Sequence, residues 1–161
     1  MCRRPSQAVS VLAVVGLLVS SYALFVEFQL ADDPYYVAAC DVGGMSCTAV
    51  FTSEYAHILS HWGLVEKGSP LDLGLAVAGL ALYTGFFLYP ILTFVPGRKQ
   101  LLLAVSLGSV CFSAYLLYVL KFILGEFCIV CTSFHAINFT MFFFVLREAG
   151  IIGKPAKTNT A

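Results

Sequence analysis

Cys128-Ile129-Val130-Cys131 places two thiols two residues apart, a spacing that brings both sulfurs onto one helical turn. Thiols at the start of a helix lie beside unpaired N–H groups and the positive end of the helix dipole, which favour a thiolate. A thiolate attacks and leaves readily, and thiol–disulfide exchange requires both properties. A second pair, Cys40 and Cys47, has six residues between its members, Gly43 and Gly44 among them. Their loop is therefore pliable enough for a bridged or an open state. A bridge over so short a loop contributes only about 2–3 kcal/mol on the chain-entropy estimate. On residues alone the readings are a relay between two pairs, two structural disulfides, or a zinc site with His135 as a further ligand. The relay is favoured. An outer pair takes electrons from a soluble partner and an inner pair hands them to something in the lipid. Zinc ranks last, because only three ligands are at hand and no second CxxC exists, so no metal is expected.

Cys128, Cys131, Thr132 and His135 fall at i, i+3, i+4 and i+7 of one helix, so they share a face, which Asn138 continues. His135 then lies about 10 Å below Cys128 at 1.5 Å rise per residue. A polar side chain inside a membrane span is costly and faces a cavity or a partner. His135 is read as a hydrogen-bond partner or proton carrier for a substrate carbonyl, with a bond to a neighbouring helix's carbonyl as the plainer alternative. Asn138-Phe139-Thr140 matches the glycosylation pattern but falls within a span, where it is not used. Cys111, mid-span, is read as a small apolar packer. Cys2 is an inert thiol or a palmitoylation site.

The elements that position these residues are membrane helices. The chain has 161 residues, 60% apolar and 11% charged, against nearer half and a quarter in soluble domains. That composition excludes a water-soluble globule and allows one domain, 1–161. Ala8–Val26, Leu73–Val95, Leu101–Leu120 and Phe127–Leu146 contain no Asp, Glu, Lys or Arg. Each approaches the roughly 20 residues needed to cross the hydrocarbon core as a helix. The expected spans are about 8–28, 71–95, 101–124 and 126–146, with a polar loop and cap at 29–70. Arg3, Arg4, Arg98, Lys99, Arg147, Lys154 and Lys157 fall on the side of the termini, against Lys67 and Lys121 opposite. Both termini are thus expected in the cytoplasm, which puts four cysteines in a compartment that permits disulfides. Arg3, Arg4 and the apolar run to Ser21-Tyr22-Ala23 also resemble a cleavable signal peptide, but the run continues to Val26, long enough to span. No nucleic-acid partner is expected.

Between the first two spans, Asp32-Asp33-Pro34 breaks the helix. Ile58, Leu59, Trp62 and Val65 recur at helical spacing, so Tyr55–Val65 is expected to lie on the bilayer as a short lid helix. Ser69-Pro70-Leu71-Asp72 reads as a cap and first turn for the second span. Gly74, Ala78, Gly79 and Gly85 offer small residues for close packing there. Leu124-Gly125-Glu126 joins spans three and four in a tight hairpin. Ser106, Ser109, Cys111 and Ser113 run along the third.

Taken together, Ser20-Ser21-Tyr22-Ala23-Leu24, Cys40-Asp41-Val42, Ser46-Cys47-Thr48, Val50-Phe51, Gly63-Leu64-Val65-Glu66, Gly79 with Tyr83, and Phe127-Cys128-Ile129-Val130-Cys131 with Ala136-Ile137-Asn138 resemble the vitamin K epoxide reductase family. The resemblance covers most of the chain in order. It implies an all-α membrane protein, a four-helix bundle around a quinone pocket, capped by the loop and its short helix. It implies reduction of vitamin K epoxide or quinone, with the quinone as substrate and no tightly bound cofactor, in the endoplasmic reticulum membrane. Alternatives are another quinone used for disulfide formation, or a non-catalytic scaffold. By resemblance, Cys131 attacks substrate and Cys128 resolves. Cys47 exchanges with Cys128, Cys40 exchanges with a lumenal thioredoxin-fold protein, and Phe51 packs on the ring. Tyr83 and Asn138 join the substrate site. Two polar anchors depart from the vertebrate pattern: His135 stands where those enzymes have tyrosine, and Leu75 where they have asparagine. The loop pair is also one residue closer, and the cap is longer and lacks a glycine-rich segment. These departures bear on the choice of ring and on binding of coumarin-type inhibitors.

Overall fold

A computed structural model describes residues 5–66, 69, 72, 74–91 and 96–152. The apolar runs form helices, as they must where lipid offers the backbone no hydrogen-bond partners. The first, α1, spans Pro5–Asp32 and ends where Pro34 forbids continuation. The cap follows, with α2 at Cys47–Phe51, a 3-10 turn at Glu54–Ala56 and α3 at Ile58–His61. Then come α4, Leu75–Leu88, α5, Arg98–Tyr118, running on into a π-helical turn at Val119–Leu124, and α6, Ile129–Glu148. All described regular structure is helical. By length and composition, the helices at Gln7–Asp32, Arg98–Leu124 and Ile129–Glu148 are able to cross a membrane. The 14 residues of α4 extend only about 21 Å, short of the 71–95 expected for that span, and 92–95 lie outside the described residues.

α1 packs along α4 and α6, and α5 packs along α6. Small residues make the tight approaches. Gly79 of α4 leaves no room for a Cβ against Phe134 and Ser20, and Gly16 of α1 none against the Tyr83 ring. Gly85 faces open space and Ala78 is exposed, so neither joins that packing. Buried apolar side chains form two clusters. One includes Val9, Tyr83, Phe86, Met141 and Val145, and the other gathers Val26, Ala38, Leu120 and Val130 around Cys47 and Cys128.

Two local expectations change. The lid is not one helix over Tyr55–Val65: His57 (φ −117°, ψ 73°) interrupts it, and Gly63 (φ +69°) turns the chain after His61. Trp62 is 53% exposed, its ring 6.1 Å from that of Tyr115. The described α4 begins at Leu75, and Pro70 and Leu71, expected in its first turn, lie outside the described residues. Asp72 precedes the helix in a turn, its N–H donating to the Ser69 carbonyl (2.9 Å). The N-cap is Gly74, which has no side chain to offer, and the Glu27 carboxylate of α1 serves instead, 3.5 Å from the Ala76 N–H. An acidic group there meets both the free N–H groups and the dipole of α4.

Candidate active site

Cys128 is the N-cap of α6 (φ −112°, ψ 119°), and its Sγ accepts from the Cys131 N–H at 3.3 Å. The extended backbone turns Sγ back over the first turn, a sulfur counterpart of the usual oxygen cap. Cys131 lies one turn along, half-buried, and both are free thiols. Cys40 and Cys47 are disulfide-bonded, their Cα atoms 6.0 Å apart. The two pairs meet: Cys128 Sγ is 3.2 Å from Cys47 Sγ across 81 positions of sequence, and both cysteines are 0% exposed.

Local hydrogen bonds hold this contact. The Ser46 N–H donates to the Phe127 carbonyl (3.1 Å), joining the loop to the residue before Cys128. Ser46 Oγ then caps α2, accepting from the Ala49 N–H (3.1 Å). The Asp41 carboxylate accepts from the N–H groups of Cys47 and Thr48, and Thr48 Oγ1 accepts from the Ala38 N–H (3.1 Å). Burial raises the Asp41 pKa, but hydrogen bonds from the Thr48 side chain and the Thr48 and Cys47 backbone outweigh it, holding the carboxyl below its ordinary value.

Beneath the sulfurs is a cavity of about 320 Å³, its wall largely apolar and running between α4, α5 and α6 under the cap. Phe51, Leu75, Cys131, His135 and Asn138, all singled out from the sequence, lie on that wall. Tyr83 does not. It is fully buried behind the wall, its ring 5.1 Å from that of Phe134 and its hydroxyl donating to Asn138 Oδ1 at 2.9 Å. The large ring fills the gap that Gly16 leaves between α1 and α4, which holds it outside the cavity. His135 is 4% exposed, and its Nδ1 has no hydrogen-bond partner among the described residues. The arrangement thus joins a disulfide, a thiol in contact with it, a second thiol on an apolar chamber, and an unpartnered imidazole nitrogen in the same wall.

The zinc reading finds a different set. Cys40, Asp41 and Cys47 are the described cluster with ligand atoms within 4.8 Å of one another, but two of these sulfurs are joined to each other, whereas zinc takes thiolates. Cys111 is exposed on the outer surface of α5 rather than packed inside it, and Cys2 lies outside the described residues. Sequence reasoning gave no role to three residues. Glu27 caps a helix 49 positions away, and nothing in its own neighbourhood signals that. Asp41 adjoins Cys40 and is a turn-type residue, which was a usable signal. Ser113 was noticed only as one of several serines on the third span.

The family model for the vitamin K epoxide reductase family matches residues 7–146. Vitamin K epoxide reductase complex subunit 1 of Mus musculus is 39% identical over 143 residues, 84% of this chain and 85% of the mouse protein. The Rattus norvegicus protein of the same name is 38% identical with the same coverage. Two cysteine pairs in contact on an apolar helical bundle and relatives that match along nearly its whole length identify the chain as a membrane thiol oxidoreductase that belongs to the vitamin K epoxide reductase family.

Proposed function

We propose that the protein reduces a lipid-borne quinone or quinone epoxide of the vitamin K type with electrons from protein thiols on the lumenal side. The 3.2 Å contact between Cys47 and Cys128, with Cys131 one turn away on the cavity, carries this reading. It links a disulfide in the polar loop to a chamber suited to an apolar ring. The largely apolar wall of that chamber suits a substrate with a long hydrocarbon tail. The quinone is substrate, and no tightly held cofactor is required.

The Cys131 thiolate attacks an epoxide carbon, the C–O bond breaks, and the oxygen takes a proton. The Cys128 thiolate then attacks Cys131 Sγ and expels the ring carbon. Loss of water leaves the quinone, with both electrons supplied by the Cys128 and Cys131 thiols as they become a disulfide. Reloading reverses that bond. Cys47 attacks Cys128 and frees Cys131, then Cys40 attacks Cys47 and frees Cys128. The product has Cys40–Cys47 bridged and Cys128 and Cys131 free, the state of this structure. A lumenal thioredoxin-fold dithiol that reduces Cys40–Cys47 closes the cycle. Phe51 packs on the ring, and His135 Nδ1 is its polar contact. On this reading the protein sits in the endoplasmic reticulum membrane with cytoplasmic termini.

His135 and Leu75 on the wall favour a second reading within the class, a quinone other than vitamin K serving disulfide formation. Purified protein with reductant, offered vitamin K epoxide, vitamin K quinone and ubiquinone in turn, decides between them. Turnover of a vitamin K form is expected. Thiol trapping in cells should also find mixed redox states and a Cys47–Cys128 crosslink. Fully oxidised pairs with no turnover of any quinone would make the protein a scaffold with structural disulfides.

A further inference from the structure

Ser113 of α5 is 1% exposed and lies on the cavity wall. Its neighbours in the helix use their hydroxyl protons internally: Ser106 donates to the Leu103 carbonyl (3.0 Å) and Ser109 to the Ser106 carbonyl (2.8 Å). That is the ordinary fate of a helical serine in an apolar setting. Ser113 has no such acceptor among the described residues. Its oxygen instead accepts from Asn138 Nδ2 at 2.8 Å.

The direction of that bond is set from the far end of the chain of groups. A neutral tyrosine has one proton to donate. The Tyr83 hydroxyl is 2.9 Å from Asn138 Oδ1 and 3.4 Å from the Phe134 carbonyl, so the amide oxygen is its nearer acceptor. Asn138 then turns its carbonyl to Tyr83 and its NH2 to Ser113. Ser113, having accepted, keeps its own O–H free, and such a chain polarises each member in the same direction. A buried donor without a partner is costly, and the acceptor-poor wall offers this one nothing. Asn138 lies three residues beyond His135, about 4.5 Å further along α6, and Ser113 meets it there.

We propose that Ser113 donates its hydroxyl hydrogen bond to a ring oxygen of the bound quinone or quinone epoxide, with Asn138 and Tyr83 as positioning residues that set its direction. This rests on the quinone reading above and adds a selective element to it: ring substrates with an oxygen acceptor at that depth are preferred.

The test uses the full-length protein in lipid nanodiscs with a small dithiol as reductant and vitamin K quinone carrying carbon-13 at its carbonyls. Ser113→Ala should raise KM about tenfold with kcat largely kept, as expected when binding common to ground and transition states is removed. Ser113→Thr, which keeps the hydroxyl, should restore KM. Infrared difference spectra of bound quinone should show one labelled carbonyl stretch moving to higher frequency in Ser113→Ala and in Tyr83→Phe, whose asparagine is free to turn over. An unchanged spectrum and KM in Ser113→Ala, with quinone still reduced by the wild type, would show that the proton points inward and overturn the proposal alone. Failure of the wild type to bind or reduce any quinone would overturn the parent reading and this inference with it.

Discussion

At the scale of single residues, His135 is where the chain most affects the choice of substrate. Its Nδ1 is buried and unpartnered on the cavity wall, where imidazole is able to donate or accept. His135→Phe should weaken substrate binding by about 1–3 kcal/mol, the usual cost of leaving a buried polar partner unpaired. His135→Tyr should retain activity and strengthen binding of vitamin K epoxide and coumarin-type inhibitors. KM and kcat at equal folded protein are the measurements, and values unchanged in His135→Phe would reduce the histidine to a packing residue. The face shared by Cys131, His135 and Asn138 was legible from 3.6-residue spacing alone. That Tyr83 stands behind this face was not, because spacing orders residues around one helix and says nothing of which neighbour fills the space beyond.

At the scale of elements, the loop is positioned by Asp41. Its carboxyl is held below the ordinary pKa, so the stabilisation it confers is complete above the unfolded value near 3.9 and fades as pH falls through the lower folded value. Melting temperatures in micelles should therefore fall for the wild type on acidification below about pH 4. Asp41→Asn should be less stable at pH 7 and lose less on acidification. Identical pH profiles would mean that Asp41 does not anchor the loop. The loop's redox role has a separate check. Replacing Cys40 or Cys47 should cripple turnover with a protein dithiol yet spare part of it with a small dithiol that reaches Cys131 through the cavity. Equal losses with both donors would make the pair structural. The sequence announced this loop by its cysteines and glycines but concealed how it is fastened. The Ser46–Phe127 bond and the Glu27 cap on α4 join positions far apart in the chain, and the break at His57 depends on one residue's backbone angles.

At the scale of the whole molecule, the bundle was the most legible feature, since uninterrupted apolar runs leave the chain no other solvent. The extent of α4 was the least, because its start depends on a cap from α1. Arg98 stands over the Tyr89 ring at 5.2 Å and Arg147 over that of Phe143 at 5.0 Å, at the end of the bundle where α5 begins and α6 ends. Basic residues anchored at that end favour its placement in the cytoplasm. Tags at the two termini should both be reached by cytoplasmic reagents, and Cys40 by lumen-restricted ones. Termini on opposite sides would remove the four-span arrangement.

The contact between Cys47 and Cys128 has a further consequence, because neither residue exposes any surface. In the relay proposed above, electrons change hands there out of reach of solvent. A small thiol in the surrounding fluid can meet the half-buried Cys40 or, through the cavity, Cys131, but not the junction between Cys47 and Cys128. Exchange at that step is then confined to the protein's own cysteines.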